Sequence, residues 1–273
     1  MKKTILITGT STGIGRATAL YFAQQGWNVA ATMRSQADIA AETEFTKLPN
    51  VACVVLDVTD DATIHAAIAE TVKRFGKIDV LVNNAGYGAD GIFEDMTDEV
   101  ILRQFNTNVF GLMRVTRAII PHMRDNKGGT IVQIASMGGR LAFPLFSIYH
   151  ATKWAVEGFS ESLQYELKQF GIKVKIIEPG TIKTEFYGKG RVAIAGKSLP
   201  HYKAFVDKCE KVSQAPAQNG ITPVEVAKVI CRSVDGGWKM RFPAGSPAPM
   251  LLGLRKLIPD SWFFAIVRNS YKI

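Results

Sequence analysis

The segment Thr4-Ile5-Leu6-Ile7-Thr8, followed at once by Gly9-Thr10-Ser11-Thr12-Gly13-Ile14-Gly15, narrows what this chain can fold into more than any other stretch. A short unbroken apolar run suits a buried parallel strand, and the residues beyond Gly15 carry apolar side chains at helical spacing to near Gly26. Glycines between the two let the backbone turn sharply and approach another group, while the helix that starts there offers free amides to an anion. Strand, glycine turn and helix start together suit a pyrophosphate. The spacing is G-x-x-x-G-x-G rather than G-x-G-x-x-G, and the same glycines would also serve an ordinary tight turn.

Further strands are expected at Asn28 to Met33, Val51 to Leu56, Ile78 to Val82, Thr130 to Ala135, Val174 to Glu178 and near Lys239 to Phe242, with helical patterns filling the gaps. Strands alternating with crossovers long enough for helices imply an α/β fold with a doubly wound, Rossmann-like parallel sheet covered by helices on both faces. A chain of 273 residues that is 47% hydrophobic can bury a full core, and no linker interrupts the pattern, so a single domain over 1–273 is expected.

The second strand ends where a dinucleotide-binding protein selects its cofactor. An acid there would hold the ribose hydroxyls; this chain has Met33 followed by Arg34, which favours a 2′-phosphate and hence NADP(H) over NAD(H). The less favoured alternative is that Arg34 caps a solvated strand end. Farther on, Tyr149 and Lys153 stand four apart in a predicted helix and share one face. A neighbouring cation favours the ionised form of a phenol, so the pair is a tunable acid/base for an alcohol oxygen. His150, one residue from Tyr149, points about 100° away around the helix and reads as structural.

The order of these motifs resembles that of the short-chain dehydrogenase/reductase family. Thr8-Gly9-x-x-x-Gly13-x-Gly15 is similar to its cofactor loop, Asp57-Val58 to its adenine contact, and Asn83-Asn84-Ala85-Gly86 to the turn that stabilises its central sheet. Asn108, Ser136, Tyr149 and Lys153 match its catalytic tetrad, with Ser136 thirteen positions before Tyr149. Pro179-Gly180, with Ile182 and Thr184, resembles the segment that holds the nicotinamide. The resemblance covers residues 1–184, which it implies are the dinucleotide-binding and catalytic core, and leaves 185–273 as substrate loop, lid and C-terminal segment. Cofactor contacts are then implied at Gly9, Ser11, Thr12, Gly13, Ile14, Gly15, Arg34, Asp57, Val58, Asn84, Ala85, Gly86, Tyr149, Lys153, Pro179, Gly180, Ile182 and Thr184. Ala135 replaces the family's common first Ser, Gln133 stands where Asn is frequent, and Thr12 lacks the basic side chain of many NADP-specific members.

The implied activity is reversible hydride transfer between NADP(H) and an alcohol/carbonyl pair. Tyr149 acts as general acid/base, Lys153 tunes it and grips the ribose, Ser136 donates to the carbonyl, and Asn108 holds a water. The run Leu141-Ala142-Phe143-Pro144-Leu145-Phe146 has no ionisable group, and Phe186-Tyr187 follow the nicotinamide segment. Ser136, Leu141, Phe143, Tyr149 and Phe186 are therefore expected to line a pocket for a hydrophobic ketone or aldehyde, though such side chains also pack cores. A 3-ketoacyl-thioester reductase keeps the same chemistry. A non-catalytic NADP-sensing regulator would need the glycine loop but not the tetrad.

Cys53, Cys209 and Cys231 show no metal-ligand spacing, and no metal or nucleic-acid partner is expected. The apolar start is too short for a signal peptide and no uncharged run approaches a membrane span, so a cytoplasmic enzyme is expected, as a homodimer or homotetramer built on the helices after Thr97 and Ser147. Residues 1–182 hold 18 Lys+Arg and 18 Asp+Glu, whereas 183–273 hold 15 and 6. Apolar clusters around Met250-Leu251 and Trp262-Phe263 lie between Arg255, Lys256 and Arg268, so this third reads as a solvated basic face, a rim for an anionic substrate or carrier, or a peripheral membrane contact.

Overall fold

The computed structural model describes residues 2–183, 191–194 and 199–273. Its main sheet is built from β1 (Thr4–Ile7), β2 (Asn28–Met33), β3 (Val51–Val55), β4 (Val80–Asn83), β6 (Gly129–Ile134), β7 (Ile172–Pro179) and β9 (Arg241–Ala244) in the spatial order β3-β2-β1-β4-β6-β7-β9, with every pairing parallel. Between strands run α1 (Gly13–Gln24), α2 (Gln36–Ala40), α3 (Asp61–Phe75), α4 (Asp98–Phe105), α5 (Leu112–Asp125), α6 (Ser147–Leu167), α7 (Lys203–Asn219) and α8 (Pro223–Val234), and after β9 come α9 (Ala248–Leu257) and α10 (Asp260–Tyr271).

The two-residue alternation of each strand decides which helix layer it meets. Ile5, Ile7, Val29, Ala31 and Val82 pack with Phe22 of α1 and Val226 and Ile230 of α8. Leu6, Ala30, Val54, Leu81 and Ile131 face the other way, onto Ile64 of α3, Val115 and Ile119 of α5 and Leu163 of α6. Burial on both faces explains why the strands read as continuous apolar runs.

All seven expected strands form, the last of them two residues later than read. A further parallel pair was missed: β5 (Gly88–Gly91) with β8 (Arg191–Ile194), a sheet of its own. Gly88-Ala89-Asp90-Gly91 carries no strand propensity, and its partner lies a hundred residues away, so nothing local marks it. Among the described residues no helix is long and apolar enough to cross a membrane.

Connection direction reverses where β1 and β4 lie side by side: the chain leaves β1 for β2 on one side and leaves β4 for β6 on the other. The loops after these two strands diverge and open a crevice at the carboxyl edge of the sheet, the position at which open α/β sheets bind ligands.

Candidate active site

A cleft of about 820 Å³ occupies this edge. Its floor begins with the glycine loop. Gly9 and Gly13 have φ of 70° and 60°, left-handed values that a side chain disfavours. At Gly15 the constraint is space: a Cβ would lie 2.2 Å from the Gly9 carbonyl oxygen and 2.4 Å from Asn84 Nδ2. Thr12 caps α1 without a side-chain hydrogen bond and no acid sits in the first turn, so the amides of this helix end remain unopposed.

The loop is bolted to the turn after β4. Asn84 Nδ2 donates to the carbonyls of Thr8 and Gly9, both at 2.9 Å, and the amides of Asn84 and Ala85 donate to Thr8 Oγ1 at 2.9 and 3.0 Å. Asn83 Nδ2 donates to Thr116 Oγ1 and Gln133 Oε1, each at 2.9 Å, linking β4, α5 and β6. Gln133, where the family often has Asn, is thus committed to the sheet's support.

Ser136 starts a short turn after β6. Its Oγ accepts from the Gly138 amide at 3.0 Å, which leaves the hydroxyl proton to be donated elsewhere. His150 secures the same turn: Nδ1 meets the Gly138 carbonyl at 2.9 Å and Nε2 accepts from the Phe143 amide at 3.0 Å. With both ring nitrogens engaged, and burial pushing its pKa down to about 4, His150 is a neutral latch between α6 and the turn. Lys153 is buried and donates from Nζ to the Ile134 carbonyl at 2.8 Å. Its Nζ lies 5.8 Å from the centre of the Tyr149 ring, and burial lowers its pKa to about 8, the charge of Glu157 acting in the opposite direction.

Asn108 sits in a π-helical segment, Asn106–Gly111, between α4 and α5. Its side-chain amide donates to the Tyr87 carbonyl at 2.8 Å and to Thr152 Oγ1 at 3.3 Å, and its Oδ1 accepts from the Tyr87 amide at 3.1 Å. Both ends of the amide are therefore spent on holding Tyr87 and α6. Asn108 lies behind the cleft rather than on its wall.

The cleft brings together Gly9, Ser11, Thr12, Gly13, Ile14, Arg34, Asp57, Val58, Asn84, Ala85, Gly86, Ser136, Phe143, Tyr149, Lys153, Pro179, Gly180 and Ile182. Thr184, Phe186 and Tyr187 lie outside the described residues. Arg34 is exposed on the cleft and makes no ion pair among the described residues, whereas Met33, read as standing in the place of the missing acid, is 1% exposed with its side chain in the core beside Phe22. Asp57 accepts from the amide and hydroxyl of Thr59 at 2.8 and 2.7 Å, which fixes its carboxylate within its own turn. Leu141 corrects an expectation: it is 1% exposed and packs with Ala248, Leu252 and Phe263, so it backs the wall on which Phe143 and Phe146 stand. Sequence reasoning also passed over Tyr87 and Arg103, which line the cleft joined by a 3.2 Å hydrogen bond from Nε to the phenol oxygen. They carry no motif, and only the π-helical segment and the folded α4 turn them inward.

The basic last third divides. Arg241 reaches in from a half-buried position to pair with the buried Glu157, and Arg255 pairs with Asp260 and stacks on Phe263 and Phe264. Met250 and Trp262 of the apolar clusters point to solvent, and no described residue from 199 onward lines the cleft. Among the described residues no group of three His, Cys, Asp or Glu is placed to hold a metal.

The sequence model of the short chain dehydrogenase family matches residues 3–192, more than half of the chain. The chain belongs to this family. It is an oxidoreductase, and it is similar over nearly its whole length to the crystal structure of a short-chain dehydrogenase from Streptomyces avermitilis, with 34% identity, 99% of each chain covered and a TM-score of 0.81. It is also similar to ElxO with NADP bound, at 30% identity over 89% of this chain and 97% of that one, with a TM-score of 0.74. Among curated proteins, a 3-ketodihydrosphingosine reductase from Bacteroides thetaiotaomicron is 34% identical over 84% of this chain and 82% of its own.

The geometry of the cleft fits a dinucleotide: an uncapped helix end, glycines whose side chains would fill the loop, and a guanidinium, that of Arg34, with no ion pair among the described residues. Gly15→Ala should therefore weaken binding of a nicotinamide dinucleotide, reduced NADP and reduced NAD alike, at least tenfold, because the methyl group displaces either the Gly9 carbonyl or Asn84 from the cleft floor. Titration of cofactor fluorescence checks this, with circular dichroism confirming that the sheet persists.

Proposed function

We propose that this oxidoreductase moves hydride between NADP(H) and a hydrophobic ketone or aldehyde and its alcohol. The observation that carries the reading is that Ser136, Tyr149 and Lys153 meet on one cleft with the glycine loop and with Arg34, although they come from widely separated parts of the chain. When bound, the nicotinamide supplies or accepts the hydride.

The chain's own residues handle the proton and the charge. Ser136, its Oγ held by the Gly138 amide, donates its hydroxyl proton to the carbonyl oxygen, and the bond strengthens as negative charge grows there. Tyr149 gives its phenolic proton to the same oxygen in reduction and takes it back in oxidation. Lys153 places a buried positive charge beside the ring, stabilising the phenolate that remains, and holds the nicotinamide ribose. Asn108 fixes Tyr87 and α6, so the helix that carries Tyr149 and Lys153 keeps its angle to the cleft.

Arg34 supports NADP(H) over NAD(H), since its guanidinium, without an ion pair among the described residues, suits a 2′-phosphate. The aromatic faces of Phe143 and Phe146 support an apolar substrate, and one relative is named for reducing 3-ketodihydrosphingosine. Exposed Leu102 on α4 and Trp154 and Tyr165 on α6 support a homo-oligomer built on these helices.

Tyr149→Phe should abolish turnover while NADPH affinity stays nearly unchanged, and Lys153→Met should lose both; steady-state rates and binding titrations of the two variants separate these effects. Arg34→Ala should lower kcat/KM for NADPH by about tenfold or more and leave NADH nearly untouched, as expected for loss of a charge-assisted phosphate bond worth roughly 1.5–3 kcal/mol. A carboxylate at position 33, by contrast, would be forced into the core and would not reach the cofactor. Within a ketone series assayed with NADPH, kcat/KM should rise with apolar bulk, each buried methylene contributing up to about 0.8 kcal/mol. A preference for carrier-bound 3-ketoacyl thioesters would assign the thioester reductase reading, and a preference for sugars would overturn the apolar one.

A further inference from the structure

One helical turn beyond Lys153, α6 enters a buried group of charges that the proposed chemistry does not use. Glu157 is 4% exposed and Glu178, on β7, is fully buried. Glu157 Oε2 accepts from Arg241 Nε at 3.1 Å, and Arg241 Nη2 reaches Glu161 Oε2 on the exposed side at 2.9 Å. Glu178 Oε1 accepts from Arg140 Nη1 at 3.2 Å. The second oxygen of each buried carboxylate, Glu157 Oε1 and Glu178 Oε2, has no hydrogen-bond partner among the described residues.

An orphaned carboxylate oxygen costs free energy wherever it is buried, so its retention in the support of an active site calls for a physical reason. Arg241 already has Glu161 as a partner, so Glu157 is not needed to neutralise it. Lys153, by contrast, has its Nζ bonded to a neutral carbonyl and, among the described residues, has no carboxylate in hydrogen-bond contact. The acid whose charge reaches it is Glu157, at i+4 on the same face of α6. The Ser136 turn is packed on this pair: a Cβ at Gly139 would lie 2.9 Å from Glu157 Cγ and 3.0 Å from the Lys153 carbonyl oxygen. Arg140 and Glu178 then tie the same turn to the end of β7, immediately before Pro179.

We propose that Glu157 is a positioning residue whose carboxylate serves as the buried counter-charge of the Lys153 ammonium. The inference rests on Lys153 serving the proposed site. The charged groups facing Glu157 are Lys153 and Glu161 from α6, Arg241 from β9, Glu178 from β7 and Arg140 from the turn after β6; His150, two turns back, is neutral. Burial first, and the charge of Glu178 second, push Glu157 up to about 7, against Arg241 and Arg140. Burial pulls Lys153 down to about 8. Between these values both members of the pair are charged; below them Glu157 takes up a proton, and above them Lys153 gives one up. Without the carboxylate, Lys153 must lose its proton at lower pH.

The test is the titration of Lys153 in the full chain without cofactor, followed by NMR of protein labelled with 13C at lysine Cε, the Lys153 signal being identified by its loss in Lys153→Met. The midpoint should fall near 8 in the unaltered protein. It should drop by about one pH unit in Glu157→Gln, the scale of one close opposite charge. Glu161→Gln, which removes the exposed partner of Arg241, should leave the midpoint in place, and Glu157→Asp, which draws the charge back, should lower it by less than Gln does. NADPH affinity, which falls as pH rises through the Lys153 midpoint, should show the same displacement of its alkaline limb in Glu157→Gln. An unchanged midpoint in a folded Glu157→Gln protein overturns the proposal, as do equal shifts in the Glu157 and Glu161 variants. If Glu157→Gln does not fold, Glu157→Asp decides: a lowered midpoint supports the counter-charge and an unmoved one overturns it. Because the primary readout is a lysine titration without cofactor, it stands or falls separately from the hydride chemistry.

Discussion

Asn84 holds the two sides of the sheet's reversal point together. One side-chain amide nitrogen spans to the carbonyls of Thr8 and Gly9 while Thr8 Oγ1 accepts two amides from the opposite loop, so the ends of β1 and β4 are joined by hydrogen bonds rather than by packing alone. Such a joint is directional, and it sets the width of the crevice that parallel topology only opens. The absence of a side chain at Gly15 is what lets α1 approach the joint, since a Cβ would contact both Gly9 and Asn84. Every other group of the cleft is placed relative to this floor.

A second set of polar contacts places the reactive wall. α6 supplies Tyr149 and Lys153, but its orientation is held by Asn108 through Thr152, by Lys153 through the Ile134 carbonyl, and by His150 through the turn that bears Ser136. Each of these contacts buries a polar or charged group whose partner must then be supplied, so misplacement leaves an unsatisfied group in the interior. The same logic reaches outward to Glu157, Arg241, Glu178 and Arg140. Ionic groups at this depth are poor sources of net stability and better sources of a defined charge state and a defined geometry.

Apolar packing acts behind these contacts. α9 and α10 set Ala248, Leu252 and Phe263 against Leu141, so the stretch after Ser136 has a firm backing and presents Phe143 and Phe146 to the cleft. The basic charge of the last third is accordingly put to several uses, Arg241 against the buried Glu157 and Arg255 against aromatic rings, while Met250 and Trp262 remain at the surface.

What could be read locally was read from the sequence. The parallel strands are continuous apolar runs, the glycine turn combines strand end and helix start within a few residues, and Tyr149 and Lys153 share a face because helical spacing alone puts them there. Sidedness and distant partnership were not legible in the same way. Whether Met33 faces the ribose or the core depends on the register of β2 between β1 and β3, and whether Leu141 lines or backs the wall depends on two helices more than a hundred residues later. The β5–β8 pair, the commitment of Asn108 to Tyr87 and the gathering of Glu157, Glu178, Arg140 and Arg241 are likewise contacts between segments far apart in the chain. By itself the sequence determined the elements and the chemical groups they carry, since both follow from short-range sterics and periodicity. Only the tertiary structure decided which of those groups face the cleft and which act from behind it, because burial and electrostatic environment belong to neighbours that the chain brings together only when it folds.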